Sequence, residues 1–202
     1  MSASSPLETN REPRAWLAAV LIALVTFAAV APTLRWPQFT GGNENIVVAT
    51  ALEMRNGGPW LVPQLNGEPR VKKPPLVAWI TAATLRQSTL DQLDSPDPAI
   101  RRAAYYDLGW QVRWTGLLAG CVTILATFVI GRSIADPATG LAAAMIVAAN
   151  LLFMKYMRQS TSDVHLAMWV TIANACFVLG IVQRRWSVSY THLRAHETLR
   201  YL

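Results

Sequence analysis

A small set of polar residues carries the chemistry this sequence could perform. Asn43 and Glu44 open a helix-forming stretch, 44–56 (ENIVVATALEMRN). A helix N-terminus favours an ionised carboxylate, and an ionised carboxylate can take a proton from a hydroxyl. Arg70, Lys72 and Lys73 close a segment rich in proline and glycine, 59–75. Cations placed there can take up negative charge that builds on a leaving group. Pro74 and Pro75 follow at once and hold Lys73 at the start of a short apolar helix, near headgroup depth. Further on, Arg158 lies about one turn from Asp163, so the two can pair. Each residue also has a plainer reading. Asn43 can be an N-cap and Glu44 a dipole-matching first-turn residue. Lys72 and Lys73 can meet anionic headgroups, and Asp163 can cap the last apolar helix. His165, a lone histidine, reads as structural.

The elements that must position these residues are membrane helices. The chain is 52% hydrophobic and 15% charged, against roughly 25% charged for soluble domains. The apolar residues come in blocks, at about 15–35, 114–131, 139–154 and 164–183. A span needs about 20 mostly apolar residues, and Trp16 and Trp36 bracket the first block as interfacial residues do. Ala29-Val30-Ala31 looks like a signal-peptidase site. The run is long for a signal peptide, however, and Pro32 would follow the cut, so the block reads as a retained anchor. None of the twelve prolines lies inside the three later blocks, which fits uninterrupted helices. The expected fold is therefore all-α and integral to the membrane. About four transmembrane helices are expected, with a long outer loop, 36–113, holding short interfacial helices.

Within that loop, 44–56 reads as a helix ended by Gly57-Gly58. Residues 59–75 read as a loop, 76–86 as an apolar helix too short to span, and 87–102 as polar and irregular. With residues 1–14 cytoplasmic, Arg11, Arg14, Arg132, Arg184 and Arg185 lie inside, against Lys155 and Arg158 outside. This places the loop 36–113 and the turn 155–163 on one outer face. The net charge of +6 then suits anionic lipid and topology control, and argues against nucleic acid as a partner. Cys121 and Cys176 fall in apolar blocks and read as small packing residues.

The loop from Asn43 to Trp79 resembles a known family. It reads Asn43-Glu44 where the family has an acidic pair, a helix ending Glu53-Met54, Gly58-Pro59-Trp60, Val62-Pro63, Asn66-Gly67, then Lys73-Pro74-Pro75-Leu76 followed by an aromatic. Arg113, Gly131-Arg132 and Arg158-x4-Asp163 follow in matching order. The pattern is similar to that of GT-C-type glycosyltransferases that use lipid-linked sugars, the protein O-mannosyltransferase and aminoarabinose transferase branch, over about residues 15–185.

The resemblance implies a hexosyl or pentosyl transferase that moves a sugar, with inversion, from a polyprenyl-phosphate donor to a lipid or protein acceptor. The expected place is the outer face of a bacterial cytoplasmic (inner) membrane. It implies a catalytic role for the position of Asn43, where the family has an acid. An amide cannot accept a proton at neutral pH. Three outcomes stay open: Glu44 has taken the role, the acceptor arrives already ionised, or the protein is a catalytically dead binder of lipid-linked sugar. Asp163 joins Glu44 and Asn43 as a catalytic candidate, and Arg70, Lys72, Lys73 and Arg158 are the expected donor-phosphate ligands. Some relatives use a divalent metal near the loop acid, but this sequence has no diagnostic ligand set. A transporter or scaffold is the non-enzyme alternative, but a transporter would carry ionisable residues inside its spans, and these spans carry almost none.

The last residues, 187–202 (SVSYTHLRAHETLRYL), differ in character. SYTHLRAHET resembles a translated sequencing-adapter tail. The expectation is a non-native tail on an N-terminal fragment that is inactive by itself, in which His192 and His196 carry no meaning despite their metal-like spacing.

Overall fold

The computed structural model describes residues 11–36, 39 and 42–183; the expected non-native tail lies outside them. The chain forms α1 (Arg11–Val30), a 3-10 turn (Ala31–Arg35) and α2 (Gly42–Arg55). A two-stranded hairpin follows, β1 (Gln64–Leu65) and β2 (Glu68–Pro69). Then come α3 (Leu76–Thr84), α4 (Gln87–Leu93), α5 (Pro98–Ile134), α6 (Pro137–Ala149), α7 (Leu151–Met157) and α8 (Ser162–Gln183). Among the described residues, three helices are long and apolar enough to cross a membrane: Pro13–Arg35, Pro98–Ile134 and Ser162–Val182. The pair α6 and α7 makes a fourth if it is one span bent by 68°. The all-α membrane architecture follows.

Three local expectations are corrected. Residues 87–102 are not irregular. Arg86 donates its amide to Gln111 Oε1 (2.8 Å), and Gln111 Nε2 donates to Thr89 (2.8 Å), which ties α4 down. Asp97 then caps a new helix by accepting from the Ala99 amide at 2.8 Å, with Pro98 at the first helical position. The helix that carries the second apolar block therefore begins at Pro98, well before 114. Its 37 residues reach about 55 Å at 1.5 Å each, well beyond the roughly 30 Å hydrocarbon core. The extra turns, with Arg101, Arg102 and Asp107, form a stem for the loop. Third, the block 139–154 is interrupted. Asn150 ends α6 and caps α7, its Oδ1 accepting from the Phe153 amide at 2.9 Å. An asparagine side chain offers the backbone this alternative to a continuous helix.

The helix α5 is the axis on which three apolar clusters form in succession. Leu108 and Val112 pack with Val48, Ala51 and Met54 of α2 and Ala78 and Ala82 of α3. Leu117 and Cys121 pack with Val30, Leu34, Met157 and Val164. Ile124 and Phe128 pack with Ala15, Ala19 and Ala144. Glycines allow the close approaches. A Cβ on Gly116 would stand 2.8 Å from the Gln159 carbonyl, and one on Gly140 would stand 2.6 Å from the Phe128 carbonyl. Small residues at crossings are how membrane helices gain van der Waals contact. Apolar faces of α1 (Leu17, Leu21, Leu24) and α8 (Leu166, Val170, Phe177) stay exposed, as lipid contact requires.

The loop after α2 is built by its glycines and one acid. Gly57 sits at φ +97°, and the Gly58 amide reaches back to the Glu53 carbonyl at 3.0 Å, the six-to-one bond of a glycine-terminated helix. Asn66 (φ 55°) and Gly67 (φ 77°) make the tight turn of the hairpin, whose positive φ values suit this dipeptide. Glu53 accepts from both turn amides, Asn66 and Gly67, at 2.9 Å each. The Glu-Met and Asn-Gly elements of the sequence pattern are thus one device. Exposed hydrogen bonds to a carboxylate are worth about 1–2 kcal/mol together. Glu53→Ala is expected to speed amide exchange at Asn66 and Gly67 about tenfold, measured by hydrogen–deuterium exchange; unaltered exchange would show the turn stands without its acid.

Candidate functional site

The turn between α7 and α8, residues 158–161, is where α2, α3 and Lys73 of the long loop meet the spans. Ser160 donates its amide to Glu44 Oε1 at 3.0 Å. The Ser160 hydroxyl bonds Thr81 Oγ1 of α3 at 3.0 Å. Lys73 Nζ donates to Ser162 Oγ at 3.1 Å and lies 3.9 Å from Asp163. Loop and turn therefore share one end of the bundle. The turn between α5 and α6 lies at the other end, where Arg132 stacks on Trp16 near the start of α1.

The centre of this region is a buried ion pair. Arg113 Nε donates to Glu44 Oε1 at 2.7 Å and Nη2 donates to Oε2 at 3.1 Å. Arg113 Nη1 also donates to the carbonyls of Leu34 (3.0 Å) and Trp36 (2.6 Å). Its guanidinium lies 4.5 Å from the Phe39 ring centroid. The two side chains are 4% and 1% exposed. A bidentate fork is the geometry arginine offers and lysine cannot. A buried charge also needs such a partner, because desolvation is otherwise too costly. Gly109, one turn earlier, makes room: a Cβ there would meet the Leu34 carbonyl at 2.9 Å.

Beside this pair lies a cavity of about 380 Å³. Its lining includes apolar side chains, Ala29 and Val30 near the end of α1 and Leu151 and Met154 on α7. The same lining carries Glu44, Arg113, Lys155 and Arg158. The break at Asn150 turns α7 so that Lys155 and Arg158, three residues apart and neighbours on a helical surface, both reach it. Three cations and one committed carboxylate together with apolar side chains suit an anionic head on a hydrocarbon chain.

The candidate residues distribute unevenly. Glu44 and Arg158 line the cavity. Arg70 and Lys73 line a separate, narrow crevice with Thr50, Pro63 and Ser162. Desolvation there pulls the Arg70 pKa below its ordinary value. Lys72 is exposed. Asp163 neighbours Lys73, and among the described residues it forms no pair with Arg158, contrary to the expected pairing. Asn43 is exposed within the first turn of α2, since the helix begins one residue earlier at Gly42. Asp163 likewise stands inside α8 and not at its cap. His165 is buried, with Nδ1 2.9 Å from the Thr161 carbonyl. Among the described residues no group of three or more His, Cys, Asp or Glu side chains could hold a metal ion.

Two participants escaped sequence reasoning. Arg113 appeared only as an ordered match, and Lys155 only as a charge for orientation. The available signals were an arginine set among Trp110, Val112 and Trp114, and the Lys155-Arg158 spacing.

Residues 105–193 match the family model described as dolichyl-phosphate-mannose-protein mannosyltransferase. No curated protein and no solved structure matches the chain significantly. The matched segment includes Arg113, Lys155, Arg158 and Asp163 but not the loop 43–79, so it supports the glycosyltransferase resemblance from a different part of the chain. It supports a membrane glycosyltransferase of the GT-C kind that uses a lipid-linked sugar, at the level of family and not of subtype.

Proposed function

We propose that this protein transfers a sugar from a polyprenyl-phosphate donor at the cavity beside the Glu44–Arg113 pair, on the outer face of a bacterial inner membrane. The observation that carries this reading is the cavity itself: Lys155, Arg158 and Arg113 line it together with apolar side chains of α1 and α7. In the reaction an acceptor oxygen attacks the anomeric carbon and the carbon–oxygen bond to phosphate breaks. The configuration inverts, the acceptor hydroxyl's proton passes to water, and the departing lipid phosphate gains negative charge. Lys155 and Arg158 meet that charge where it develops.

Glu44 acts here chiefly as a positioning residue. Arg113 and Ser160 already occupy three acceptor sites on its carboxylate, out of about four such sites. It fixes Arg113 toward the cavity. Lys73, held by Ser162 and Asp163, orders the loop above the turn. Arg70 meets the outer part of the donor, and the exposed Lys72 meets anionic headgroups. The acceptor is a lipid or a protein.

The test is transfer of labelled sugar from a polyprenyl-phosphate donor by the full-length protein in proteoliposomes. Transfer is expected, with strong loss in Glu44→Gln and a smaller loss in Asp163→Asn. Unchanged transfer in both variants would remove these residues from the site. A second reading rests on the exposed amide of Asn43, which stands where the family pattern has an acid. Saturable donor binding with no transfer to any acceptor would establish a binding protein in place of an enzyme.

A further inference from the structure

We propose that the hairpin 60–72 is a membrane-dipping element that docks on the lipid of the outer leaflet and sets the height of the loop cations. This rests on the membrane architecture and not on the transferase reading. The hairpin register pairs Gln64 with Pro69 and Leu65 with Glu68. The Arg70 amide continues the ladder to the Pro63 carbonyl at 2.8 Å. The next pair outward is Val62 and Val71, with Leu61 beyond. Leu61 is 84% and Val71 80% exposed, and Val62 and Trp60 are partly exposed beside them. A run of apolar side chains on a loop is costly in water and marks a contact surface.

The structure says what that contact is. Lys73, just after the hairpin, bonds Ser162, the first residue of a membrane-spanning helix. The hairpin base therefore stands at the level where a span meets the headgroups. Arg70 and Lys72 bracket Val71, and such cations complement anionic headgroups. The hairpin is also braced. Glu53 holds its turn, and Trp79 Nε1 donates to the Trp60 carbonyl at 2.6 Å. A braced hairpin transmits its depth to the residues it joins, so lipid contact at Leu61 and Val71 fixes where Arg70, Lys72 and Lys73 stand against the membrane surface.

Nitroxide labels at Leu61→Cys and Val71→Cys test this in the full-length protein reconstituted into phosphatidylglycerol–phosphatidylethanolamine bilayers. The background carries Cys176→Ser and leaves Cys121 buried. Both labelled positions are exposed, so folding is retained. Relaxation is expected to be dominated by oxygen over a water-soluble nickel complex at 61 and 71, with the order reversed for a control label at Ser88→Cys. Nickel-dominated relaxation at 61 and 71, like that at 88, would overturn the proposal. So would protection from both reagents, which would mean that protein and not lipid covers the hairpin.

Discussion

Arg113→Ala is expected to cost about 3–5 kcal/mol of stability, because it leaves the Glu44 carboxylate buried without its cation. The loss is wider than one pair. The carbonyls of Leu34 and Trp36 lose the donor that ties the end of α1 to α5, and the Phe39 ring loses its guanidinium. Arg113→Lys keeps a charge but cannot fork to both carboxylate oxygens, so it is expected to recover only part of the difference. Removing both charges, as in Glu44→Gln with Arg113→Met, is expected to be milder than Arg113→Ala, since no unpaired ion remains. Unfolding of the reconstituted variants by heat or by steric trapping measures all of this. Additive losses across the Glu44 and Arg113 cycle would show that the two residues are energetically independent, and the account of the pair would fail.

The second large effect is on turnover. Lys155→Ala combined with Arg158→Ala is expected to lower the rate of sugar transfer by about 100- to 1,000-fold, the scale seen when a donor to a developing negative charge is removed. Donor KM should change less than kcat if the two cations act mainly on the departing phosphate. Lys72→Ala is the internal comparison. Lys72 is exposed and off the cavity, so its removal is expected to leave kcat within about threefold, the scale of a screened surface charge. Equal losses from Lys72→Ala and from the double variant would mean that general surface charge, and not the cavity, governs the reaction.

The sequence made the membrane class plain because apolar blocks and flanking tryptophans report directly on partition into lipid. The helix at 42–55 and its glycine end were also readable, since Gly57 and Gly58 have few other uses there. The break at Asn150 was not readable. The block 139–154 contains no proline, and one asparagine among apolar residues looks like a tolerated polar group until its side chain is seen to cap the next turn. The start of α5 was missed because Pro96 and Pro98 suggested irregular chain, although Asp97-Pro98 is also a helix-opening pair. Only part of the cavity lining was legible: Glu44 and Arg158 were named from the sequence, whereas Arg113 and Lys155 were not. Charges on separate elements choose partners by tertiary distance, so Asp163 neighbours Lys73 and not the closer-in-sequence Arg158, and Glu44 is committed to Arg113, 69 residues away.

The Glu44 carboxylate also imposes an order on synthesis. Its second contact, the Ser160 amide, lies 116 residues further along the chain. At ~5–20 residues per second that interval is roughly 6–23 s. For that time the loop holds its anchoring acid incompletely satisfied, and it can close only after the turn that follows α7 has been made.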